Sequence, residues 1–155
     1  MTLITAPYHR AVGLLSAPWV ESLVLLFVRI SLAGIFWRSG RTKVDEGSWL
    51  TVSDTTKFLF QEDYKNVPLP PELGAYLSTY AEHFFPLLLV VGLFTRLSAL
   101  GLLGMTMVIQ VFVFPEAWWS VHIIWVALTL TLIVRGGGQF SLDALLTRKQ
   151  SSSAM

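Results

Sequence analysis

Four long runs of apolar residues, with hardly a charge inside them, limit what this chain can fold into. They fall at about 19–39, 71–94, 97–114 and 117–134. Each is roughly 18–24 residues, the length an α-helix needs to cross about 30 Å of hydrocarbon at 1.5 Å per residue. Buried helices of a soluble domain are the competing reading. Against it stand 155 residues that are 54% apolar and only 14% charged. A small soluble domain keeps too much surface for its volume to hide that much apolar side chain. The sequence therefore predicts an all-α integral membrane protein, a four-helix bundle with lipid as the solvent for its outer face.

The connections set the topology. Thr95-Arg96 and Pro115-Glu116 are so short that spans two, three and four must be antiparallel neighbours. Only the first loop, residues 40–70, is sizeable. In it Ser53-Asp54 reads as a helix cap, followed by Thr55, Phe58, Leu59 and Glu62 at helical spacing. That predicts a short amphipathic helix on the membrane surface. Trp49, Phe58, Phe60 and Tyr64 are too apolar for a solvated linker, so the loop is expected to pack over the mouth of the bundle. A second interfacial helix is expected after Ser141, with Leu142, Leu145 and Leu146 on its apolar side. The expected division is an N-terminal segment 1–18, a helical domain 19–146 and a disordered tail 147–155. Residues 1–18 hold only a short apolar patch at 11–15 and no h-region of a cleaved signal peptide.

Raw counting of Lys and Arg does not orient the chain. Arg10, Arg96, Arg135, Arg148 and Lys149 on one side face Arg38, Arg41, Lys43, Lys57 and Lys65 on the other. The hairpin of spans three and four is more informative. It carries Arg96 and Arg135 at its open ends and no Lys or Arg at its tip. The positive-inside rule then puts both termini in the cytoplasm and the first loop outside.

A net charge of +1 offers no nucleic-acid surface, and the absence of cysteine removes disulfides, iron–sulfur clusters and thiolate metal sites. The polar residues inside the spans are the candidates for chemistry. Arg29 lies about ten residues into span one, roughly 15 Å deep, and Glu82 about eleven into span two from the opposite face. A lone charge at that depth costs at least about 2.5–3.5 kcal/mol, so the two are expected to pair inside the bundle. Such a pair either fixes helix register or forms a ligand or proton site. A second set lies toward the other end: His122, Gln110, Arg38 and Lys43. These could receive an anionic or carbonyl-bearing headgroup, or the two cations could simply snorkel to the interface. His83 and His122 differ in depth by roughly 10 Å, which does not suit two axial ligands of one haem. No metal-ligand spacing is present. Ser98, Ala99, Gly101 and Gly104 read as a close helix-packing face.

These residues resemble the DoxX family of small bacterial membrane proteins. Arg29…Gly34-Ile-Phe-Trp-Arg-Ser-Gly40…Lys43 is similar to the family's Arg…Gly…Gly…Lys signature. Glu82…Val91-Gly-Leu-Phe-Thr-Arg96 is similar to its Glu…Leu-Gly-Leu-x-Thr-Arg stretch. Gly136-Gly-Gly138…Ser141-Leu-Asp143 resembles its Gly-x-Gly-x-x-Ser-Leu-Asp ending. The long first loop is similar to a branch often found in operons for metal-stress peptides and their modifying enzymes. The resemblance implies a bacterial inner-membrane accessory or quinone-facing subunit of an oxidoreductase system tied to stress or to metal or sulfur metabolism. A quinone is the cofactor it admits; no covalent cofactor, haem or metal is expected. The implied partners are the lipid bilayer and a membrane oxidoreductase or peptide-modifying protein, and a homo-oligomer is compatible with the sequence. Two other readings use the same residues: a transporter, exporter component or escort for a small metal, metabolite or peptide, and a scaffold that docks a partner through the first loop.

Overall fold

The computed structural model describes residues 8–9 and 12–153, with 149–153 described by backbone alone. The helices are α1 Pro18–Arg41, α2 Asp54–Glu62, α3 Pro71–Val91, α4 Thr95–Phe112, α5 Ile123–Arg135 and α6 Leu142–Ser153. A 3₁₀ turn, Pro115–Ala117, and a π-helical turn, Trp118–His122, lead directly into α5. No β-strand occurs among the described residues; a single bridge joins Val44 to Val52. Helix α6 continues through 147–153, part of the expected disordered tail. Residues 154–155, and 1–7 and 10–11 of the expected N-terminal segment, lie outside the described residues.

Local chemistry explains the boundaries. Pro18 and Pro71 each open a helix, where the missing N–H costs nothing and the ring presets φ. Helix α3 closes on Gly92 in the left-handed region, φ 70°, with Leu93 N–H donating to the Leu88 carbonyl at 3.0 Å. This is the glycine-terminated stop that satisfies the last carbonyls of a helix. Ser53 caps α2 by accepting the Thr56 N–H.

Among the described residues, three segments are long and apolar enough to cross a membrane: α1, α4, and Pro115–Arg135, which contains α5. Helix α3 falls short of that apolarity because its first turns serve another purpose. They carry the first loop: Phe60 from α2 packs with Val52 on Ala75, flanked by Tyr64 and Tyr76. Only beyond His83 does α3 become continuously apolar. The four long helices touch in cyclic order, α1 to α3, α3 to α4, α4 to α5 and α5 back to α1. All four supply the shared core, through Leu25, Leu32, Ala33, Phe36, Leu89, Ala99, Leu102 and Leu132. The opposite faces are left bare, with Phe27 76% and Val134 67% exposed, as lipid-facing side chains should be.

Lipid tails are as apolar as leucine, so close approach of backbones and not water exclusion must hold such helices together. Gly101 does this: a Cβ there would sit 2.6 Å from the Phe85 ring of α3. Gly104, expected on the same packing face, has nothing within 4 Å. Three residues on, it is offset by about 60° around α4, enough to leave the interface.

The ring has two distinct ends. The tail end holds the start of α1, the α3–α4 turn, the end of α5 and α6. The loop end holds the end of α1, the first loop and the α4–α5 connection.

Candidate functional site

At the loop end, α1 stops at Arg41 and the chain doubles back through Thr42, whose hydroxyl donates to the Ser39 carbonyl at 2.7 Å. Lys43 is then held by its own backbone. Its carbonyl accepts from Ser53 N–H at 3.0 Å and from the Thr56 hydroxyl at 3.0 Å, so the cap of α2 fixes it. The Lys43 ammonium turns inward and donates to Glu82 Oε2 at 2.6 Å and to Ser39 Oγ at 3.0 Å. Glu82 is only 2% exposed. Gly40 makes the approach possible, since a Cβ there would lie 3.1 Å from Glu82 Cβ and 2.9 Å from the His83 ring. His83 shares this level. Its Nδ1 lies 2.7 Å from the Thr79 carbonyl, its ring meets Trp37 edge-on at 5.1 Å, and its Nε2 has no partner. Pro86, one turn on, has no N–H to give to the Glu82 carbonyl.

The expected Arg29–Glu82 contact is therefore corrected: Glu82 pairs with Lys43. The depth estimate assumed that Pro71 lies level with the end of α1. In fact the 11 residues from Pro71 to Glu82, about 16 Å of helix, rise past that end to carry the first loop. Glu82 thus sits beside Gly40. Arg29 goes the other way, because helical side chains lean toward the N-terminus and a long one extends the lean by several ångströms. Its guanidinium reaches the tail end, where Nη2 donates to the Phe140 carbonyl at 2.5 Å. It lies over Gly92, in space that a Cβ on that residue would occupy.

The Lys43–Glu82 pair forms part of the wall of a cavity of about 370 Å³ between α3, α4 and the first loop. The rest is mostly apolar: Phe60, Leu77, Phe85, Met105, Val108 and Ile109. Leu77 is about half exposed, so the cavity opens onto the apolar outer face. Tyr64 also lines it and stacks on Phe60 at 4.1 Å between ring centres. Burial, with smaller contributions from Glu82 and Asp63, pushes the Tyr64 phenol up to about 12. Its hydroxyl is thus a proton-bearing donor at any physiological pH.

That shift carries a prediction. A folded phenol that keeps its proton to about 12, against 10.0 in the open chain, contributes stability that is complete below pH 10 and lost as pH climbs toward 12. Tyr64→Phe should remove one late tyrosinate step from the absorbance titration. It should also flatten the alkaline fall in stability relative to wild type. An unchanged titration would mean the phenol is not sequestered.

The DoxX family profile matches residues 24–115, which takes in α1 from Val24 onward and runs through the Lys43–Glu82 pair to the end of α4. The chain belongs to the DoxX family. An uncharacterized protein of Haemophilus influenzae is 31% identical over 140 residues, covering 80% of this chain and 83% of that protein. No solved structure matches.

Two further polar groups include residues beyond the DoxX match. His122 and Gln110 meet near the loop end, Nδ1 to Oε1 at 2.7 Å, while Gln110 Nε2 donates to the Pro115 carbonyl at 2.8 Å. That carbonyl can only accept, so it fixes the amide. Oε1 then faces His122, Nδ1 carries the hydrogen, and Nε2 is the free basic nitrogen. This pair lies outside the cavity lining. Arg38 is exposed and has no partner among the described residues, consistent with snorkelling. Of the six candidate polar residues, the structure brings together Lys43 with Glu82 and Gln110 with His122, and sets Arg29 and Arg38 apart.

The other group is the turn after α5. Asp143 accepts the Phe94 and Thr95 N–H groups at 2.8 and 2.9 Å, closing the start of α4 from a distance. Its own N–H donates to the Gly92 carbonyl at 2.9 Å, and Gln139 N–H donates to Ser22 Oγ at 3.0 Å. This turn ties α1, α3 and α4 together. The Ser141-Leu-Asp143 ending is the sequence signal for it, but nothing in its spacing names the helix that it caps.

Proposed function

We propose that this DoxX protein is a four-span subunit of the bacterial inner membrane, with both termini cytoplasmic, that holds a quinone-like ligand for a membrane oxidoreductase system. The observation that carries the reading is the cavity: apolar, open to the lipid-facing side, with one buried ammonium–carboxylate pair in its wall. At about 370 Å³ it falls in the lower range of small-molecule sites. A lipid-soluble carbonyl compound suits it in both halves. The ring and chain lie against Leu77, Met105 and Ile109, and a carbonyl oxygen accepts from the Lys43 ammonium or the Tyr64 hydroxyl. The four-span reading is supported by Leu89, which places α3 in the shared core. The orientation is supported by Arg96 and Arg135 at the open ends of the last hairpin.

The test is organic extraction and mass spectrometry of the purified protein, followed by titration with a short-chain quinone. Ala81→Phe puts a ring into the cavity and leaves the ion pair alone; it should weaken binding by about tenfold or more. His122→Ala should leave binding unchanged, because that histidine is not in the wall. No binding by wild type, alone or in membranes with its partner, would remove the redox reading. Transport or docking through the exposed loop residues Trp49 and Phe58 would then remain.

A further inference from the structure

A second hollow lies at the tail end, remote from the cavity above. It is an open cleft of about 760 Å³ between the start of α1, the start of α4 and the α5–α6 turn. Its charges are mostly committed. Arg135 is paired with Glu21, its Nε donating at 2.6 Å. Both oxygens of Asp143 are spent on the α4 amides. Arg96 has no partner among the described residues; it lies over Gly136, where a Cβ would come within 3.4 Å of its Nε.

The floor is polar and unfilled. Thr95 is 0% exposed, yet its hydroxyl has no hydrogen-bond partner. Gly137 faces it: a Cβ there would lie 2.7 Å from Thr95 Oγ1 and 2.9 Å from Ser141 Oγ. Only glycine fits against that hydroxyl, which stays buried just beneath the cleft. Behind the floor stands the Arg29 guanidinium, with Nε and Nη1 unpartnered. Counting Arg29, Arg96 and Arg135 against Glu21 and Asp143 gives three positive charges to two negative, an excess of one. Buried polar groups are ordinarily satisfied, so an unfilled donor beside an uncommitted cation calls for an acceptor. The wall completes the requirement. Phe94 and Leu97 line the cleft and are about 60% exposed on the outer face, along which an acyl chain can lie.

We infer that this cleft binds a phosphate monoester or diester anion, presented by the headgroup of an anionic phospholipid. Arg96 supplies the charge, the Thr95 hydroxyl donates from the floor, and the acyl chains run past Leu97. A basic pocket at the membrane surface is the usual setting for such recognition.

The experiment uses the full chain in detergent micelles holding equal amounts of phosphatidylglycerol and phosphatidylcholine, with retained lipid read by native mass spectrometry. Inorganic phosphate is added in a parallel series. Phosphatidylglycerol should be retained in preference. Arg96→Gln should weaken retention by about tenfold, the worth of one charge-assisted hydrogen bond. Thr95→Val should weaken it without lowering the melting temperature, because the hydroxyl has no protein partner to lose. Arg38→Gln, at the other end, should change nothing. If phosphate alone binds with the same dependence on Arg96 and neither lipid is preferred, the anion site stands and its source is soluble. Equal retention of both lipids with no phosphate binding overturns the proposal. So does wild-type behaviour in both Arg96→Gln and Thr95→Val.

Discussion

Gly92→Ala should be among the most damaging single-methyl changes in this protein. The new Cβ would fall on Arg29 Nη1 and 2.8 Å from the Ser141 backbone, at a residue whose φ of 70° an L side chain resists. The left-handed strain costs about 1 kcal/mol. Overpacking adds about 1–3 kcal/mol, and displacing a buried guanidinium from the Phe140 carbonyl adds more. A loss of about 3–5 kcal/mol is expected in all, read as a drop in detergent-resistant folding by circular dichroism. Gly34→Ala and Gly104→Ala, whose Cβ positions meet nothing within 4 Å, should be neutral or slightly stabilising, as alanine is in a helix. Equal effects at all three positions would show that the Arg29–Gly92 contact does not form.

The second large effect is expected at the Lys43–Glu82 pair. Lys43→Met leaves a carboxylate that is 2% exposed without its cation, and breaking such a pair from one side costs about 3–5 kcal/mol. Lys43→Met combined with Glu82→Met removes both charges at similar volume and should recover most of that loss. The ion pair of Arg135 with Glu21 is about half exposed, so Arg135→Gln should cost no more than about 1 kcal/mol. A double-mutant cycle in detergent decides the matter: additive losses at Lys43 and Glu82 would mean the two do not interact. Quinone binding read on the same proteins separates fold from site. The double variant should be stable yet bind weakly.

The apolar runs made the helices and their order legible, because length and hydropathy suffice for that. The site was harder to see. Glu82 stood out as a charge in a span, but its partner depends on how far α3 projects past α1. That distance is set by the docking of Phe60 on Ala75, a packing event with no periodic signature. Lys43 stood out as a candidate for binding a headgroup and as the last residue of the family signature, but not as the partner of Glu82; the Ser53 and Thr56 bonds that turn it inward belong to tertiary structure. Tyr64 drew attention as an apolar loop residue, and its place in the cavity follows from the same docking.

The way α4 is capped bears on how the protein is made. A helix usually closes its first turn with a residue just before it. Here Phe94 N–H waits for a carboxylate that lies 49 positions later in the chain. While α3 and α4 leave the ribosome, the turn between them carries open amides into the membrane interface. Arg29 is equally bare at that stage, since its acceptor comes 111 residues after it. This end of the protein can close only once the Ser141-Leu-Asp143 turn has been made. Until then the nascent chain presents a positively charged, hydrogen-bond-hungry surface on which an insertase or a lipid headgroup can act as a temporary stand-in.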